Sequence, residues 1–82
     1  MIKKYRKKPT IVEVVQWTGK NISEVLRFGR GRIRHRKFAD DELYIKTARR
    51  NMIIRIGDYI VKENGKLTLY KHDIFRKNFE EI

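Results

Sequence analysis

Tyr59-Ile60-Val61-Lys62-Glu63-Asn64-Gly65-Lys66-Leu67-Thr68-Leu69-Tyr70 decides the fold. Asn-Gly between two apolar runs favours a type I′ turn, because both residues tolerate positive φ. It predicts a hairpin pairing 59–63 with 66–70. Upstream, Gly57-Asp58 breaks the chain, and two further strand-like runs precede it. These are Leu43-Tyr44-Ile45-Lys46-Thr47 and Met52-Ile53-Ile54-Arg55-Ile56, joined by a turn over Ala48-Arg49-Arg50-Asn51. Nearer the start, Thr10-Ile11-Val12-Glu13-Val14-Val15-Gln16-Trp17 is β-branched and reads as a strand, with Pro9 suited to the residue before it. Asn21-Ile22-Ser23-Glu24 reads as a capping box. Ile22, Val25 and Leu26 form the apolar face of a two-turn helix that Gly29 can end in a left-handed conformation. Past the hairpin, His72 or Asp73 can cap a short helix with Ile74, Phe75, Asn78 and Phe79 on its apolar face.

The pattern is α+β: a small antiparallel sheet, a meander of four or more strands, open or barrel-like, with one or two short helices. Eighty-two residues make one domain, 1–82. A chain of this length buries only about 60–65% of the surface its unfolded form exposes. Arg30 to Lys37 is the ambiguous segment. Arg32, Arg34 and Arg36 alternate with Ile33, His35 and Lys37 at strand period, and the same composition suits a mobile loop.

Two blocks of sequence resemble a family. Lys7-Lys8-Pro9-Thr10-Ile11-Val12-Glu13-Val14-Val15-Gln16-Trp17 is similar to the KKPVxVEAVQW opening of a set of small phage and prophage proteins. Gly57-Asp58-Tyr59-Ile60-Val61-Lys62, then Gly65, then Lys71-His72-Asp73-Ile74-Phe75, resembles their carboxy-terminal stretch, with Phe79-Glu80 fitting its end. Ile56 and His72 stand where those proteins usually have proline, and Leu69-Tyr70 where they have Pro-Cys. The resemblance implies a phage or prophage origin and a working place in the host bacterial cytoplasm. It implies no activity, since the group has none in common that is established. The stretch 27–37 lies between the matching blocks.

Charge is distributed in a way the total conceals. Lys3, Lys4, Arg6, Lys7 and Lys8 form one acid-free cluster, and Arg27, Arg30, Arg32, Arg34, Arg36 and Lys37 form a second. These eleven cations equal the whole net charge of +11, so the remainder of the chain is neutral. Segregation of this kind points to a localised interaction surface, because it destabilises a small domain by self-repulsion. There is no cysteine, which excludes disulfides, thiolate metal sites and a thiol nucleophile. Apolar runs such as Met52-Ile53-Ile54 are too short to cross a bilayer, and no apolar stretch of signal-peptide length precedes Glu13.

Catalytic chemistry finds little to use. His35 and His72 are the only imidazoles, and His72 adjoins Asp73, so the two point apart unless the fold brings them together. Gly29-Arg30-Gly31-Arg32 lacks the spacing and Gly-Lys-Ser/Thr ending of a phosphate loop. Asp40-Asp41-Glu42 lacks the ligand spacing of a calcium loop and reads as a solvated turn. No cofactor, metal or enzymatic role is expected.

Arginine-rich binding is the sharper expectation. In an extended chain Arg32, Arg34 and Arg36 would share one face at intervals of roughly 6.6–6.8 Å. Arg30-Gly31-Arg32 resembles the core of a minor-groove hook, although Ile33 follows where such hooks continue with proline. Phe28 and Phe38 flank the segment, either as core anchors or as surfaces for stacked bases. The sequence therefore predicts a non-enzymatic binder of nucleic acid or nucleoprotein. An inhibitor of a host protein, of the anti-defence kind, is the alternative, and exposed strand edges leave a homodimer open.

Overall fold

The computed structural model describes residues 2–7, 10–36 and 42–81. Asn64 and Gly65 have φ of 52° and 77°, the pair of positive values that defines a type I′ turn. The turn sets the register of β6 (Tyr59–Glu63) on β7 (Lys66–Tyr70), with Glu63 opposite Lys66 and Tyr59 opposite Tyr70. Two more strands extend this hairpin. β2 (Thr10–Gln16) pairs with β6, placing Glu13 opposite Lys62 and Val15 opposite Ile60. β1 (Lys3–Lys7) pairs with β2. The two-residue β8 (Glu80–Glu81) completes the order β7-β6-β2-β1-β8.

The remaining strands form a second antiparallel sheet, β3-β4-β5, from Ile33–Arg36, Glu42–Ile45 and Met52–Ile54. The class is therefore α+β with two helices, but neither one meander nor a closed barrel. The reason is the long-range pairing of β2 with β6: it places the β3-β4-β5 segment outside the main sheet, where it packs as a separate layer. The ambiguous stretch is a strand over 33–36, with Ile33 facing inward opposite Ile45.

Both faces of the main sheet are covered, which explains why β2 and β6 carry adjacent apolar residues. Val15, Trp17, Ile60 and Leu67 pack with α1 (Ile22–Gly29) and with Ile33, Leu43, Ile45 and Ile54 of the second sheet. On the other face, Val12, Val14 and Val61 pack beneath α2 (His72–Asn78). Seven residues are too few for a self-sustaining helix, so α2 depends on its rings. Phe75 lies between Tyr59 and Phe79, at 4.0 Å and 4.6 Å between centroids and nearly parallel to both. Tyr70 meets Phe79 edge-on at 5.1 Å.

Several local expectations change. Asn21 occupies the N-cap position of α1, and its side chain makes no capping bond to the helix backbone. Its amide donates to the Gln16 carbonyl and the Glu24 carboxylate, and its oxygen accepts from Thr18, so it ties the helix to the end of β2. The residue preceding α2 is Lys71, and neither His72 nor Asp73 caps it. Ile74 is exposed and Asn78 turns back onto the Ile74 carbonyl, leaving Phe75 and Phe79 as the buried pair. Gly29 is the last helical residue, and Arg30 takes the left-handed position at φ 49°. Gly29 is needed for packing instead: a Cβ on it would stand 2.5 Å from Ile33 Cγ1.

Phe75→Ala should destabilise the protein by about 3–5 kcal/mol, whereas Ile74→Ala should change stability by less than about 0.5 kcal/mol. Urea denaturation of the two variants checks the assignment of the buried face.

Candidate nucleic-acid interface

Basic residues that the sequence spreads over two segments are divided by the fold into three places. Lys3 and Lys4 are exposed on opposite faces of the main sheet, because successive strand residues alternate. Arg6 and Lys7 are placed by backbone register, opposite Ile11 and Thr10. Lys8 and Lys37 lie outside the described residues, as do Phe38, Asp40 and Asp41.

The first gathering surrounds the C-terminal end of α1. Arg27 lies exposed in the last turn of the helix, and Arg30 follows Gly29 in its left-handed turn. Arg32 folds back. Its side chain donates to the Gly29 carbonyl at 3.4 Å and to the Gly65 carbonyl in the β6–β7 turn. Arg30-Gly31-Arg32 is thus the corner between α1 and β3, with Gly31 at φ 87°. Below the corner stands Lys62, a residue the sequence did not single out. Its ammonium lies 4.3 Å from the centroid of the buried Phe28 ring. Phe28 therefore serves as a core anchor. Burial, then the nearby Arg30, hold the Lys62 ammonium below its ordinary pKa, and Glu13 only partly opposes them.

Lys62 belongs to a cross-strand row that register makes plain. Lys4 is opposite Glu13, Glu13 opposite Lys62, and Lys62 opposite Leu67. Two interstrand spacings put the backbones of Lys4 and Lys62 about 10 Å apart on one face. Fold geometry thereby brings one cation of the first sequence cluster towards the second. Only a long-range pairing could reveal this, since β2 and β6 are more than forty residues apart.

The second gathering is the outward face of β3-β4-β5. Arg34 and Arg36 are exposed there, alternating with the inward Ile33 and His35. Arg34 is opposite Tyr44, and Tyr44 is opposite Ile53. The Arg36 guanidinium sits 5.4 Å from the Tyr44 ring centroid and 3.5 Å from the Glu42 carboxylate. Arg32 does not join this face, because its fork is committed to the corner.

The histidines offer less. His72 stacks on Tyr59 at 5.7 Å, and its Nδ1 lies 3.8 Å from the Asp73 carboxylate, so the fold does bring these neighbours together. Both are exposed to solvent, which leaves the pair in high dielectric. Among the described residues no group of three histidines or carboxylates could hold a metal ion. No helix among them is long and apolar enough to cross a membrane. No protein-family model matches the sequence, and neither curated proteins nor solved structures gave a match.

Lys62 titration has a definite sign. Its pKa in the folded protein is lowered from 10.5, so between the two values the unfolded chain binds more protons. Stability from this group rises with pH across that window and is lost as pH falls through the folded value. The stability difference between wild type and Lys62→Met should therefore shift in favour of wild type as pH rises towards 10.5. Denaturation of both proteins from pH 7 to 10.5 checks this.

Proposed function

We propose that this chain is a phage-encoded, non-enzymatic binding protein that engages nucleic acid or a nucleoprotein in the host bacterial cytoplasm through its arginine-rich surfaces. One observation carries the reading. At the end of α1, Arg30 holds the C-cap position, Arg32 reaches the Gly29 and Gly65 carbonyls, and Lys62 stands over the Phe28 ring with Glu13 opposite it in register. Helix-dipole attraction at a C-terminus is worth only about 0.3–1 kcal/mol per cation and supports Arg27 and Arg30. It gives no reason for Lys62, which stands on a strand and is disfavoured as a cation by its surroundings. Bound phosphates would supply the missing counter-charge.

Arg30 adds a second line of support. A non-glycine residue in the left-handed helical region costs roughly 1–2 kcal/mol, and glycine would avoid that cost. Arginine at φ 49° is thus conformationally disfavoured while its side chain is exposed to solvent. Strain retained beside a charged surface is expected where the side chain itself is used.

An inhibitor of a host protein remains the second reading, favoured by the exposed isoleucines Ile53 and Ile56. Apolar anchors of that sort carry affinity in protein interfaces. Capture of a host partner that survives nuclease treatment would favour it.

Arg30→Gly separates use from structure. The variant should be more stable than wild type by roughly 1 kcal/mol and should bind DNA or RNA more weakly. Wild-type affinity should fall steeply with salt, by nearly one log unit per log salt for each duplex phosphate neutralised. Fluorescence anisotropy across a salt series measures both. Absence of binding to duplex DNA, single strands and structured RNA at low salt would refute the reading.

A further inference from the structure

The open face of β3-β4-β5 has a composition that a purely electrostatic surface would not need. Arg34, Tyr44 and Ile53 form one cross-strand row, with the aromatic residue on the central strand. The Arg36 guanidinium lies over the ring, 5.4 Å from its centroid, and is bridged to Glu42. The helix that packs against this sheet does so on the opposite side, where Ile33, Leu43, Ile45 and Ile54 join Val25 and Phe28. Ile53 consequently remains 43% exposed. Arg34 has no ion-pair partner among the described residues.

We infer that this face binds single-stranded nucleic acid, stacking an unpaired base on Tyr44 while Arg34 and Arg36 hold the flanking phosphates. The inference rests on the nucleic-acid reading above and narrows it to one class of strand. Bases within a duplex present edges to a groove, and their flat faces are already stacked. A ring set in the middle of a sheet can meet only a base that has been splayed out. Arg34 and Arg36 project from one side of β3, two residues and roughly 6.6–6.8 Å apart. The Arg36 guanidinium lies over the half-buried Tyr44 ring, so a stacking base takes the ring's other face or displaces the guanidinium towards a phosphate. Their positive charge complements a polynucleotide backbone, and Ile53 extends the apolar floor of the row. Glu42 is the one acid on the face among the described residues, and its bridge to Arg36 competes with any incoming phosphate.

The test uses the full chain with a labelled twelve-nucleotide oligo-dT, its oligo-rU counterpart and a twelve-base-pair duplex, read by fluorescence anisotropy. Both single strands should bind more tightly than the duplex at equal salt, the two sugars differing little. Tyr44→Phe should bind within about twofold of wild type, because stacking needs the ring and not the hydroxyl. Tyr44→Leu should weaken single-strand binding roughly ten- to a hundredfold without changing its salt slope. Arg34→Ala should lower that slope by about 0.7, and Glu42→Gln should strengthen binding. Duplex binding that exceeds single-strand binding, or a folded Tyr44→Leu with wild-type affinity, overturns this inference and leaves the broader reading standing. Loss of affinity in Tyr44→Phe equal to that in Tyr44→Leu overturns it also. If no nucleic acid binds at low salt, both fall.

Discussion

Close approach of Gly29 to Ile33 is the constraint on which the rest depends. The helix must pass near enough to β3 for Ile33 to reach the core, and no side chain fits between them. Having ended there, the chain turns through two consecutive positive-φ residues, Arg30 and Gly31, into β3. The Arg32 carbonyl accepts the first bond of the second sheet, from the Lys46 amide at 2.8 Å. Strand alternation then leaves no choice: with Ile33 inward, Arg34 and Arg36 face outward. A shift of one residue would bury two arginines and expose Ile33, at a cost no 82-residue domain could sustain.

The same corner fixes the other basic surface. Arg32 reaches the Gly65 carbonyl, linking the α1–β3 turn to the Asn-Gly turn, and Phe28 sets the ring beneath Lys62. Two short segments thus lock two sheets together and concentrate charge where they meet. Concentrating it weakens the fold by self-repulsion and leaves a field able to attract polyanions. Stability is recovered on the remote face, where Phe75 and Phe79 seal the main sheet beneath α2.

Local signals were legible in the sequence, and distant pairings were not. Asn64-Gly65 specified its hairpin and register because both turn residues act within four positions. The apolar side of α1 followed from helical period, the strand read over 10–17 and found at 10–16 from its β-branched residues, and the α+β class from the pattern of the elements. The division into two sheets did not, since it arises from β2 meeting β6 across the whole middle of the chain. Lys62 escaped notice for the same reason: a single lysine in an apolar strand looks like ordinary alternation until its neighbours are known. Tyr44 read as a strand residue, and only the side that α1 leaves open makes it a surface group. Glycine after a helix suggests a left-handed cap, whereas at Gly29 packing on Ile33 demands a missing Cβ and the left-handed position belongs to Arg30.

The corner as organiser of the arginine face is best tested by native-state hydrogen exchange on Gly29→Ala. The Lys46 amide, bonded across the corner to Arg32, should lose far more protection than amides of the β6–β7 hairpin. Unchanged protection at Lys46, or an equal loss at both sites, would contradict the account.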